Sequence, residues 1–137
     1  QLFSGGGAAA ARPRFAGYGV TKTAVVRLVE TAAVELAASD RDIGIFAVAP
    51  GPVHTAMTEE VAANPAAAGE AEASGAAKII AGGGMSAQAA AELCAFLATP
   101  EARCLSGRLV HAHENYRDAV GQKLREDAGR LRRGALR

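Results

Sequence analysis

The run Ile43-Gly44-Ile45-Phe46-Ala47-Val48-Ala49 is almost wholly apolar and ends on Pro50-Gly51-Pro52. A strand with one face in water alternates polar and apolar residues. This one does not, so both of its faces must be covered, as in a parallel sheet. Upstream, Gln1-Leu2-Phe3 reads as the end of another strand. Between the two, residues from roughly 16 to 38 carry Val25, Leu28, Val29, Ala32 and Leu36 at helical spacing, with Arg27, Glu30 and Glu35 off that stripe. Strand, helix and strand in this order form a βαβ unit, whose crossover is right-handed as a rule. Met85 to Ala98 repeats the helical pattern through Ala90, Leu93, Cys94 and Leu97. Ser86 is its expected N-cap, and Thr99-Pro100 closes it. Leu105 to Ala112 reads as a last strand, with Gly107 near its start. The class is α/β.

The 137 residues are the length of one ordinary domain. Half are apolar, yet only 4% are aromatic, so each buried side chain removes little area from water and the core is thin. A net charge of +1 gives no electrostatic reason to bind nucleic acid or a membrane surface, and no apolar run approaches the ~20 residues that span a bilayer. Cys94 and Cys104 form neither a disulfide framework nor a metal spacing, which fits reduced thiols and a cytoplasmic setting. Residues 56–84, rich in Ala, Gly and Glu, are expected to be partly helical and mobile. From residue 117 to 137 the chain is strongly charged and is expected to be a frayed helix or a disordered tail.

Chemistry concentrates at Tyr18-Gly19-Val20-Thr21-Lys22. Positions i and i+4 share a helix face, so the Lys22 ammonium lies beside the Tyr18 ring. A cation beside a phenol favours phenolate, which equips the pair for proton exchange. Ser4 lies upstream in a glycine-rich loop and can add a hydroxyl. Downstream, Pro50-Gly51-Pro52-Val53-His54-Thr55 leaves the carboxyl edge of the middle strand, where open α/β sheets bind ligands. No cluster of carboxylates or cysteines completes a metal site around His54. His111 and His113 alternate along the last strand and share a face, but zinc there needs further ligands.

The ordered set of Ser-Gly-Gly-Gly, YxxxK, a long amphipathic helix and an apolar strand ending in Pro-Gly-x-Val-x-Thr resembles the short-chain dehydrogenase/reductase family over residues 1–116. The resemblance implies the last strands and helices of a Rossmann-like, doubly wound parallel sheet. It also implies hydride transfer between NAD or NADP and a carbonyl/alcohol pair. Tyr18 becomes the general acid/base. Lys22 supports the phenolate and binds the nicotinamide ribose, and Ser4 holds the substrate oxygen. Ser4 stands fourteen residues before Tyr18, one more than is usual in the family, and a usual serine pair is reduced to one. The Val53 backbone and the Thr55 hydroxyl would hold the nicotinamide carboxamide, Gly51 would give the ring room with Pro50 in the same cofactor-binding segment, and residues 56–84 would cover the substrate. Neither Gly5-Gly6-Gly7 nor Gly82-Gly83-Gly84 has the spacing of the family's nucleotide loop. The chain therefore reads as the C-terminal half of such an enzyme, acting on a small-molecule substrate and assembling as a homodimer or tetramer. The rival reading is a non-catalytic remnant that serves protein assembly.

Overall fold

Strand β2 (Ala47–Ala49) lies between β1 (Leu2–Phe3) and β3 (Leu109–His111), parallel to both. The computed structural model describes residues 1–120 and 130–131. Leu2 pairs with Ala47, and Ala47, Val48 and Ala49 pair with Leu109, Val110 and His111. Successive side chains of a strand point to opposite faces. Accordingly Ala47 packs on one side with Val26 and Val29 of α1 (Ala16–Ala37). Phe46 and Val48 pack on the other with Leu93, Phe96 and Leu97 of α5 (Ala87–Leu97). Helices thus cover both faces of a small parallel sheet, a partial Rossmann-like arrangement. The apolar run at 43–49 does what its lack of alternation requires.

The regular strand is shorter than that run. The Ile45 amide donates to Ser106 Oγ rather than to a neighbouring strand, which delays the ladder until residue 47. The last strand likewise begins only at Leu109, because Pro100–Leu105 wind into a 3-10 turn. On α1 the expected stripe is shifted by part of a turn. Val26 and Val29 are buried, whereas Leu28 is 57% exposed, with Val20 and Val34 at 70%. The helix carries apolar side chains around much of its circumference, and a three-stranded sheet covers one face only. On α5, Ser86 Oγ accepts from the Gln88 amide as the expected N-cap. Phe96 enters the core while Cys94 is half-buried against it.

Residues 56–84 are more regular than expected. They form α2 (Ala56–Ala63), α3 (Pro65–Ala68) and α4 (Glu70–Ala81), with α2 and α3 packed on α4. Pro65 opens α3 at a position where its missing N–H costs nothing, and Gly69, at φ 91°, breaks the chain between α3 and α4. Most of the expected tail lies outside the described residues. Of the remainder, Val120 packs against the Phe96 side of the core. Leu131 packs against Val26 and Val29 and donates its amide to Glu30 Oε1 at 2.6 Å.

Candidate active site

Tyr18 and Lys22 sit on the first turns of α1, and Lys22 Nζ stands 5.6 Å from the Tyr18 ring centroid. Lys22 is held there by donating to the Phe3 carbonyl at 3.2 Å, at the carboxyl end of β1. The spacing of four does what helix geometry dictates. The Tyr18 ring lies close against the 3-10 turn at Gly6–Ala8. A β-carbon on Gly7 would come within 2.5 Å of Tyr18 Cε1, and one on Gly5 would come 3.4 Å from the Tyr18 hydroxyl. The glycine-rich loop is therefore the floor on which the phenol rests.

Ser4 is placed differently from the other two. It has no exposed surface, and its Oγ donates to the Lys22 carbonyl at 2.9 Å. In this position it fastens the first turns of α1 to the sheet and does not line the cleft beside Tyr18. The residue facing the Tyr18 hydroxyl is Gly5, which accounts physically for the extra residue of spacing.

An open cleft of about 690 Å³ lies between the loop after β1 and the start of α1, lined by Arg12, Phe15, Tyr18 and Thr23 among others. Arg12 was not singled out by sequence, because one arginine in a loop carries no periodic signal. Its guanidinium stands 4.8 Å from the Phe15 centroid and 6.0 Å from that of Tyr18. It also pairs with Glu72 of α4, its Nε donating to Oε2 at 3.1 Å. That hydrogen bond holds the Glu72 carboxyl below its ordinary range and raises Arg12 above its own. Arg14, with φ 69°, donates to the Ala66 carbonyl of α3. Two arginines of one loop thus tie it to the helices of residues 56–81.

The Pro50–Thr55 segment leaves β2 as expected, but its polar groups are engaged within the chain. The Val53 amide donates to the Gly51 carbonyl at 3.0 Å, and the Val53 carbonyl accepts from Thr58 Oγ1 at 3.0 Å. Thr55 caps α2, its Oγ1 accepting from the Thr58 amide. Gly51, at φ 84°, lies under Met85, whose sulfur would be 2.3 Å from a β-carbon built there. His54 faces away toward Glu59 Oε1, at 2.9 Å. A nicotinamide group fits this chain unevenly. The Tyr18 hydroxyl and Lys22 ammonium suit its ribose, and the glycine floor at Gly51 suits a flat ring once the flexible thioether moves.

At the carboxyl end of β3, His111 and His113 meet edge to face, with ring centroids 5.2 Å apart. Burial holds the His111 imidazole below its ordinary range, against the pull of Glu114 and with the push of His113.

The family model described as enoyl-(acyl carrier protein) reductase matches residues 3–114. The chain belongs to this family, within the short-chain dehydrogenases/reductases. No curated protein matches it. No helix among the described residues is long and apolar enough to cross a membrane.

Proposed function

We propose that this chain carries the proton-transfer site of an NAD(P)-dependent oxidoreductase, with Tyr18 as the general acid/base. The observation that carries the reading is the Tyr18–Lys22 pair on one face of α1, resting on a glycine floor beside an open cleft. The nicotinamide, when bound, supplies or accepts the hydride. In reduction the Tyr18 hydroxyl gives its proton to the substrate oxygen. In oxidation the phenolate takes the hydroxyl proton. The Lys22 ammonium stabilises the phenolate and meets the ribose hydroxyls. Pro50, Gly51, the Val53 backbone and the Thr55 hydroxyl are proposed for the carboxamide end. Ser4, buried as it is, acts here through the backbone of Lys22, as a positioning residue.

The matching family's description adds a second substrate class, the enoyl thioester, in which hydride goes to a carbon–carbon double bond. Assay with a carbonyl and an enoyl substrate separates the two. By itself the 137-residue chain is proposed to show no turnover and to bind NAD(H) or NADP(H) no tighter than millimolar. The pyrophosphate of a dinucleotide is ordinarily held by amides of a glycine-rich loop at a helix N-terminus, and the sequence has no such spacing. The exposed Val20, Leu28 and Val34 of α1 support a homo-oligomer. The decisive experiment joins this chain to a family nucleotide-binding half and compares the wild type with Tyr18→Phe. Near-normal turnover in the variant would sink the assignment.

A further inference from the structure

We propose that His111, His113 and Glu114 form a binding site for a zinc-like divalent cation at the carboxyl end of β3. The local fold builds the set. β3 ends at His111, and residues 111–114 form a turn that brings the His113 ring edge to face with that of His111. In that turn the Glu114 amide donates to the His111 carbonyl at 3.2 Å, which sets a carboxylate beside the two rings. A ligand atom from each of the three side chains lies within 4.8 Å of the other two. Sequence alone offered two histidines and no third ligand; the turn supplies it.

The ring geometry points to shared coordination. Two imidazoles bound through nitrogen at about 2.0–2.1 Å to one tetrahedral ion have centroids about 5 Å apart. The His111 and His113 centroids are 5.2 Å apart. Tetrahedral ligand atoms stand about 3.3–3.6 Å from one another. His113 and Glu114 are exposed and free to close that gap by side-chain rotation, while His111 is half-buried and anchored on the strand. Two imidazoles and one carboxylate suit zinc, cobalt or nickel better than calcium or magnesium, which prefer all-oxygen sets. Three protein ligands leave the fourth position of a zinc-like ion to water. The site adjoins the middle strand, because His111 pairs with Ala49 and the Ala112 amide donates to the Ala49 carbonyl. Bound metal would brace the turn that ends β3, beside Ala49 and the start of the Pro50 segment.

The test uses the full chain and cobalt(II) as a spectroscopic probe for zinc. Expected are stoichiometric binding, visible bands of a four- or five-coordinate nitrogen/oxygen site, and displacement of cobalt by zinc. His113→Ala and Glu114→Gln change exposed residues, so circular dichroism should match the wild type. Each should lower metal affinity by about tenfold or more. His111→Asn should do the same. Absence of stoichiometric cobalt binding, or binding that His111→Asn and His113→Ala leave intact, overturns the proposal. Loss with the histidine variants but full affinity in Glu114→Gln overturns the three-ligand assignment.

Discussion

The two ends of the candidate site are prepared to different degrees. At the carboxyl end of β1, Tyr18 and Lys22 are held in register by the helix, by the Phe3 carbonyl and by the glycine floor, and they border an open cleft. At the carboxyl end of β2, the groups proposed for the carboxamide hydrogen-bond to one another, and Met85 covers Gly51. The end proposed for proton transfer is pre-organised, so little reorganisation would oppose that chemistry. The carboxamide end must exchange internal contacts for ligand contacts, and that exchange subtracts from affinity. Both ends follow glycine-bearing turns after parallel strands. What separates them is whether another part of the chain has already taken the place of the ligand.

The sharpest way to break this contrast is to remove the proton while keeping the ring. Tyr18→Phe in the chain joined to a family nucleotide-binding half should lower turnover by about 10²–10⁴-fold with cofactor affinity nearly unchanged. Lys22→Ala should reduce both turnover and cofactor affinity, because one ammonium is proposed to serve phenol and ribose. Stopped-flow hydride transfer, paired with cofactor titration, separates the two effects. If Tyr18→Phe weakens cofactor binding as much as turnover, the β1 end is a binding element rather than a proton-transfer one.

Next in size is the floor beneath the phenol. Gly7→Ala forces a methyl group to within 2.5 Å of Tyr18 Cε1 and 3.2 Å of Lys22 Cβ. The ring must move, at a cost of about 1–3 kcal/mol in stability, and turnover should fall with it. Thermal denaturation and steady-state rates measure both. Unchanged rates in Gly7→Ala would show that the phenol is not held where the loop places it.

Much of this was legible in the sequence, for reasons that can be named. The unalternating run at 43–49 demanded cover on two faces and received α1 and α5. The i, i+4 spacing put Tyr18 and Lys22 on one helix face, and the Phe3 carbonyl holds the ammonium near the ring. The misses share a cause. Whether Leu28 or Val26 faces the sheet depends on how α1 is rotated against strands far away in sequence, and no periodicity in an alanine-rich helix settles that. Residues 56–84 are expected to be partly helical and are so, but without a strong apolar stripe the extent of their helices was not legible; α2 and α3 are stabilised by packing on α4. Ser4 was judged by its residue type and near-usual spacing, whereas its burial is decided by Val48 and Lys22.

A smaller effect should sharpen the picture at the β2 end. Met85→Ala uncovers Gly51 and should cost about 1 kcal/mol of stability, since the side chain is only partly buried. If Met85 merely occupies the place of the ring, nicotinamide cofactor should then bind severalfold tighter to the joined enzyme. Weaker binding would mean that Met85 packs on the cofactor instead of competing with it. Calorimetric titration with NADH and NADPH distinguishes the two.

The smallest expected effect concerns the tie between the two regions. Arg12 and Glu72 are both partly exposed, so their pair contributes only about 0.2–1 kcal/mol. Glu72→Gln should lose that amount, and high salt should reduce the difference. The pH dependence has a definite sign. Hydrogen bonding to Arg12 lowers the folded-state affinity of Glu72 for its proton relative to the ordinary 4.5. The contribution is therefore present above that value and is lost as pH falls through the lower, folded one. Denaturation of wild type and Glu72→Gln across acid pH should show two curves that converge as the carboxyl protonates. The variant should also loosen the loop at 8–15 over the cleft, because Arg12 loses its anchor on α4 while keeping its place above Phe15 and Tyr18. Curves that stay parallel down to the acid limit would mean that Glu72 does not hold Arg12, and the tie between the prepared end and the helices of 56–81 would then rest on Arg14 and the Ala66 carbonyl alone.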